Sequence, residues 1–361
     1  GGVSRRHTGK MPVPHSSASA TKDRYLDHLS SQREADTLKT TLRKGCGVVK
    51  RELIKNKNRF RTWAVVALAG CLAVQSVGEP VADARRLETD AASGAVSMVV
   101  GQTLCWTYVP QGREGKPYFH PLALPGTGEA LTAFRPPDHA WHLGLWFSWK
   151  LINGYNFWEP TSNAVTRVVA QRITPSPDKQ VMIEATLAYL GDGRELVRET
   201  RTVQVTTALN GDYTIAWESA FTAQGGAVEF ACTPAKRGKD GNWASGGYAG
   251  LMWRFPDVDA LACRYANAEG KADVQACGES SERMEVIAVA AKSGARARIV
   301  IRDRGGNPRY PTPWFARHDL KAHKGRGYFL VGPSLAFHEP LGLEAGATLT
   351  VRYDIEVKRM P

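Results

Sequence analysis

From residue 94 onward the chain is a succession of short apolar runs broken by turn residues. Alternation of apolar and polar positions, or enrichment in β-branched residues, marks residues 96–100, 104–109, 164–173, 181–190, 196–206, 213–221, 227–232, 284–290, 295–302, 328–331 and 348–357. Gly, Pro, Asn or Asp separates most of these runs, as in Gly191-Asp192-Gly193 and Asn210-Gly211-Asp212. A period of two punctuated in this way predicts strands joined by turns, and many such strands predict an antiparallel sandwich. After residue 86 there is no long amphipathic helix, no alternation of strands with helices, no Gly-x-Gly-x-x-Gly and no fixed repeat.

Three segments break the pattern. Residues 115–160, 307–324 and 333–340 are dense in Pro, His, Trp and Gly, which suit a regular ladder poorly, and they read as loops. They contain six of the nine histidines, His120, His139, His142, His318, His323 and His338, and none falls in a predicted strand. Chemistry is therefore expected in these loops.

Charge divides the chain differently. Residues 1–61 carry 15 Lys or Arg and 5 Asp or Glu, so they hold most of the +12 net charge. The remaining 300 residues are nearly balanced, which removes the electrostatic basis for non-specific nucleic-acid binding. Lys55, Lys57, Arg59 and Arg61 precede an apolar run over 63–74, the arrangement of an export signal. That run is shorter than the roughly 20 residues a membrane span needs. Leu68-Ala69-Gly70-Cys71 resembles a lipoprotein cleavage site, with Cys71 as lipid anchor; Ala82-Asp83-Ala84 is an alternative site for simple cleavage. The expected organisation is an over-called or disordered leader at 1–54, a signal peptide or lipoprotein signal at 55–84, and one sandwich domain at 86–361. The mature protein is then periplasmic or on the cell surface. Cys105, Cys232, Cys263 and Cys277 form no Cys-x-x-Cys pair; Cys263 with Cys277 closes the shortest loop, and free buried thiols are the alternative.

The candidate chemistry centres on Asp138, His139 and His142. An imidazole exchanges protons near neutral pH, and an adjacent carboxylate orients it or binds a hydroxyl. His139 and His142, three apart, can also share a metal with His120 or Glu339 as third ligand; no cofactor is assigned. Arg135 offers a fork for a carboxylate, a phosphate or vicinal hydroxyls. Trp146, Trp158 and Trp314 are candidates for stacking on a sugar ring, against the alternative of core burial. Glu339, with His338 beside it, is a candidate general base. No Gly-x-Ser-x-Gly nucleophile motif is present.

Arg135-Pro136-x-Asp138-His139-x-x-His142-x-Gly144-Leu145-Trp146, followed by Asn153-Gly154, Asn156-Phe157-Trp158-Glu159, Gly246-Gly247-Tyr248-x-Gly250-Leu251 and Pro311-Thr312-Pro313-Trp314, resembles the bacterial PmoA-like family labelled methane oxygenase. Trp141 stands where that family carries a further histidine. Membrane methane oxidation is rejected, because the mature part has no apolar stretch of spanning length. Phe337-His338-Glu339-Pro340-x-x-Leu343-x-x-Gly346-x-x-Leu349-x-x-x-Tyr353 resembles the end of galactose-mutarotase-type enzymes, which implies a large β-supersandwich with a Glu base and a His acid.

The combined expectation is an exported protein that binds a carbohydrate or another small molecule and modifies it through a His139/Glu339 acid–base pair. A non-catalytic carbohydrate-binding surface lipoprotein and a metal-dependent oxygenase are the alternatives. His139, His142, Arg135, Trp314 and Glu339 are expected to converge on one concave face.

Overall fold

A computed structural model describes residues 84–112 and 115–361, all within one unit spanning 77–361. The leader at 1–54, the signal at 55–84 apart from Ala84, and Cys71 lie outside the described residues.

Two eight-stranded antiparallel sheets face each other. In spatial order the first contains Arg85–Thr89, Val96–Val100, Thr103–Val109, Tyr118–Leu122, Leu145–Ser148, Gly250–Arg254, Tyr328–Pro333 and Trp314–Asp319. The second runs Leu261–Asn267, Arg283–Ala290, Arg296–Asp303, Thr348–Met360, Tyr213–Ala223, Arg194–Thr207, Val181–Gly191 and Ala164–Pro175. Aromatic rings bridge the interior: Phe119 to Trp217 at 6.4 Å, Phe147 to Phe221 at 5.1 Å, and Phe255 to Tyr265 at 5.9 Å. The Trp106 indole also donates to the Thr207 hydroxyl across the same gap at 2.9 Å. The fold is an all-β antiparallel sandwich.

The second sheet matches its sequence pattern closely, because most of its strands bury one face and wet the other, as Tyr213–Ala223 does. The first sheet does not. Leu145–Ser148 and Gly250–Arg254 are buried at every position, and a strand covered on both faces has no alternation to read. Strands also lie where loops, or nothing regular, were expected, among them Arg85–Thr89, Tyr118–Leu122, Leu145–Ser148, Gly250–Arg254, Leu261–Asn267 and Trp314–Asp319. Two histidines accordingly sit in strands, His120 in Tyr118–Leu122 and His318 in Trp314–Asp319, which corrects the expectation that none does.

The interior also holds an ion pair that the sequence pattern hides. Glu199 and Arg201 are fully buried on neighbouring inward positions of Arg194–Thr207. The Glu199 carboxylate accepts from Arg201 Nε at 2.7 Å, Arg201 Nη2 at 3.0 Å, the Tyr189 hydroxyl at 2.7 Å and the Ser219 hydroxyl at 2.7 Å. The Arg201 guanidinium lies over the Trp217 ring at 4.7 Å. Buried charges persist when their lone pairs are satisfied in this way. Cys105, Cys232, Cys263 and Cys277 are buried free thiols, so Cys263 and Cys277 are not joined. No helix among the described residues is long and apolar enough to cross a membrane.

Candidate functional site

Successive strand residues point to opposite faces. Leu145, Phe147 and Trp253 of the first sheet face the second sheet, which leaves Trp146, Arg254 and Tyr328 on the outer face. A loop folds over that face. Phe134 and Leu143 form an antiparallel bridge, and Arg135 N–H donates to the His142 carbonyl at 2.8 Å. Within the loop, two successive turns close through His139 N–H to the Pro136 carbonyl at 2.9 Å and His142 N–H to the His139 carbonyl at 3.0 Å. Gly144 permits the return: it has φ +85°, and a Cβ there would stand 2.4 Å from the Phe119 carbonyl oxygen.

The turns bring Asp138 and His139 into a hydrogen-bonded pair, His139 Nδ1 to Asp138 Oδ2 at 2.7 Å. The same oxygen accepts from Arg254 Nη2 at 2.8 Å. Arg254 is almost fully buried, and its guanidinium lies over the Tyr328 ring at 4.1 Å. A third nitrogen, His323 Nε2, is 3.4 Å from Asp138 Oδ2. His323 and Lys324 both adopt left-handed backbone, φ +52° and +64°, which side-chain-bearing residues rarely take. The His142 ring stacks on His139 with centroids 4.6 Å apart and packs against Trp146 and Trp158 at 5.1 and 6.0 Å. Trp141 and Tyr328, both half-buried, flank His139 at 5.3 and 4.9 Å.

Electrostatics assigns distinct states to these groups. Burial pushes the Asp138 pKa up, but the His139 hydrogen bond and the positive charge of Arg254 outweigh it, and the pKa falls to about 2. Asp138 is therefore a carboxylate at neutral pH. Burial, with the charges of His139 and Arg254 added, holds His142 well below the ordinary histidine range, so it is neutral. Burial likewise lowers His120 to about 4.

A family model matches residues 95–359: DUF6807, a family of unknown function. The chain belongs to this family. The PmoA-like resemblance of the 135–146 segment is corrected accordingly, since the family model that covers it is DUF6807. No curated protein matches the DUF6807 chain. Similar solved structures include an alpha-galactosidase from Lactobacillus brevis, 8% identical with a TM-score of 0.38, covering 75% of this chain and 40% of that one. Another is a TPR-domain containing protein from Parabacteroides distasonis, 10% identical with a TM-score of 0.24, covering 74% and 47%. The chain thus spans less than half the length of either, and at these scores neither likeness adds to what its own sheets show.

The expected site residues divide. In the DUF6807 chain Asp138, His139 and His142 come together, with Trp146 and Trp158 packed behind them at 0% and 1% exposure. Those two tryptophans are core rather than an open platform. Trp314 is also buried, and its indole donates to the Ser281 carbonyl at 2.8 Å. Arg135 sits over the Phe134 ring and donates to the Ala140 carbonyl at 3.1 Å, bracing the loop. His338 Nε2 contacts the Gly278 carbonyl at 2.8 Å, and Glu339 is 74% exposed with Arg309 Nη2 at 3.4 Å. His139 is paired instead with Asp138, and no contact joins it to Glu339. The partners not foreseen are Arg254, His323 and Tyr328. Arg254 had one signal, a lone charge inside the apolar run Leu251-Met252-Trp253-Arg254-Phe255.

The metal-capable cluster likewise differs from the expected one. Ligand atoms of Asp138, His139 and His323 lie within 4.8 Å of one another; His142, stacked on His139, is not among them, nor are His120 or Glu339. A cavity of about 250 Å³ beside the pair is lined by Phe134, Arg135, Asp138, Arg254, Asp257 and Arg326, among others. A larger one of about 660 Å³, lined in part by Lys116 and Glu159, shares Arg135 with it. A third of about 470 Å³, around Leu87, Val168 and Ile173, has no titratable side chain and offers no chemistry.

Proposed function

We propose that the protein binds and chemically modifies a carbohydrate on the outer face of its first sheet, with His139 as the proton-transfer group, and that it works in the periplasm or at the cell surface. The observation that carries this reading is the Asp138–His139 hydrogen bond backed by buried Arg254. With Nδ1–H committed to Asp138, Nε2 is the nitrogen that exchanges protons with a substrate hydroxyl, and the Asp138 carboxylate stabilises the imidazolium that forms. The half-buried Trp141 and Tyr328 rings offer π-faces to the C–H face of a sugar ring. Purified protein incubated with a panel of sugars should give a modified product. His139→Ala should lower turnover by roughly 10²–10⁴-fold while retaining sugar binding. Full turnover in that variant removes His139 from the chemistry. Binding without turnover in the native protein leaves a binding module.

A second reading has its own observation, the convergence of Asp138, His139 and His323 ligand atoms. Two imidazoles and one carboxylate suit a divalent ion with open positions. This reading expects stoichiometric metal in purified protein, activity lost to a chelator, and metal lost together in His139→Ala and His323→Ala. Metal-free protein with full activity excludes it.

A further inference from the structure

Two cavities touch the loop that carries Asp138 and His139, and Arg135 forms part of the wall of both. The one beside Asp138, at about 250 Å³, falls below the range of roughly 300–1,000 Å³ that holds a whole small ligand. The other, at about 660 Å³, lies well inside that range. A site confined to Asp138 and His139 leaves the larger volume unused.

The larger cavity is built on one turn. Asn156 Oδ1 accepts from the Trp158 N–H at 3.0 Å and the Glu159 N–H at 3.3 Å, and the Thr161 hydroxyl donates to the Asn156 carbonyl at 3.3 Å. An Asn side chain bonded to the backbone ahead of it closes residues 156–161 into a turn, which carries Glu159 and Thr161 to the cavity wall. Lys150, 7% exposed, donates to Glu159 Oε2. Burial raises the Glu159 pKa, but that hydrogen bond outweighs it, and Glu159 is a carboxylate at neutral pH. A carboxylate has about four lone-pair sites, so the Lys150 contact leaves it able to accept from a ligand.

Thr166, on the edge strand Ala164–Pro175, lines the same cavity. It is 5% exposed, and its hydroxyl is buried without a hydrogen-bond partner. A hydroxyl in that position is unfavourable until a ligand pairs with it. Gln111 adds an amide to the wall. Together these groups supply both donors and acceptors, which match the hydroxyls of a sugar rather than an apolar ligand.

Trp158 ties this cavity to the proton-transfer group. It precedes Glu159, and its carbonyl accepts from the cavity-lining Lys116 at 2.9 Å. Its ring packs on His142, which stacks on His139.

We infer that the larger cavity holds a second sugar ring, so that the substrate is an oligosaccharide of at least two rings, with one ring at His139 and the next at Glu159 and Thr166. The inference rests on the carbohydrate reading given above and sets the length of the substrate within it.

Calorimetric titration of the purified protein tests it, with glucose, galactose, mannose and xylose and the di- and trisaccharides built from each. The expected result is a disaccharide that binds about tenfold tighter than its monosaccharide, the gain of one or two net hydrogen bonds. Thr166→Val should cut that gain about threefold or more, and Glu159→Gln at least as much. Thr166→Val deletes only a partnerless hydroxyl and should fold as the native protein does. It keeps the test open if Glu159→Gln, which deprives Lys150 of its carboxylate, does not fold. Equal affinity for monosaccharide and oligosaccharide overturns the inference and leaves the carbohydrate reading standing. A gain with length that survives in Thr166→Val, or in folded Glu159→Gln, overturns it as well. Absence of binding to every sugar overturns both.

Discussion

Arg254 and Asp138, 116 positions apart, meet at 2.8 Å with side-chain exposures of 3% and 10%, and the oxygen they share is the one that holds His139. One strand of the first sheet thereby fixes the orientation of an imidazole carried on a loop. The loop residue and the strand residue have no shared function when taken singly.

Asp138→Ala breaks that pair from the exposed side and leaves Arg254 buried without its carboxylate. Removing one member of a buried pair costs about 3–5 kcal/mol, and partial exposure of Asp138 puts the expected loss at the low end, about 3 kcal/mol. Urea denaturation measures it. A loss below about 1 kcal/mol means that Arg254 finds another acceptor.

The same carboxyl sets an acid limit. Its folded pKa of about 2 lies below the ordinary 3.8, so its contribution to stability is present above about pH 4 and is lost as pH falls from about 4 to about 2. Denaturation midpoints of native protein and Asp138→Asn, followed from pH 6 to pH 2, should converge over this window. Parallel curves contradict the assignment.

In the core, Glu199→Ala should cost about 3–5 kcal/mol because Arg201 is left charged and fully buried, whereas Glu199→Leu combined with Arg201→Met should recover most of that loss. The comparison of single and double variants by denaturation isolates the burial cost from the attraction. A double variant as unstable as the single one contradicts the account.

His323→Gly separates stability from function. Glycine tolerates the left-handed backbone at φ +52°, so relief of strain should stabilise the fold by about 1 kcal/mol. Loss of the imidazole should lower activity or metal content. A fall in melting temperature shows that the His323 ring stabilises the loop by more than its backbone costs.

Deleting residues 55–78 should leave the protein in the cytoplasm, and Cys71→Ala should abolish lipid labelling if the Leu68–Cys71 site is the one processed. Fractionation and labelling check both. Unchanged export after the deletion removes residues 55–78 as the export signal.

The sandwich was legible at most strands that are wet on one face, with Leu261–Asn267 missed. Ala164–Pro175, Val181–Gly191, Arg194–Thr207 and Tyr213–Ala223 all coincide with expected runs to within a few residues. Leu145–Ser148 and Gly250–Arg254 were not legible, because the site itself covers their second face and erases the alternation. Within the site, Asp138 and His139 could be picked out because they are adjacent and chemically rare among aromatic neighbours. Arg254 showed only as a lone charge in an apolar run, and neither it nor His323 could be placed beside Asp138, since only the sheet order and the left-handed turn at 323–324 bring them there. The Glu339 assignment rested on a short motif, and the structure gives that residue Arg309 and solvent instead.

The position of Thr348–Met360 governs how the protein can fold. It lies in the middle of the second sheet, between Arg296–Asp303 and Tyr213–Ala223, and joins two groups of strands that otherwise have no ladder between them. Before residues 348–360 leave the ribosome the sheet exists only as two separate pieces, each with an unpaired edge. Closure must therefore follow synthesis of residues 348–360 and depends on contacts of long sequence separation, which makes it slow. A nascent chain held open in this way stays competent for threading through a translocation pore, and it also displays sticky strand edges for as long as the wait lasts.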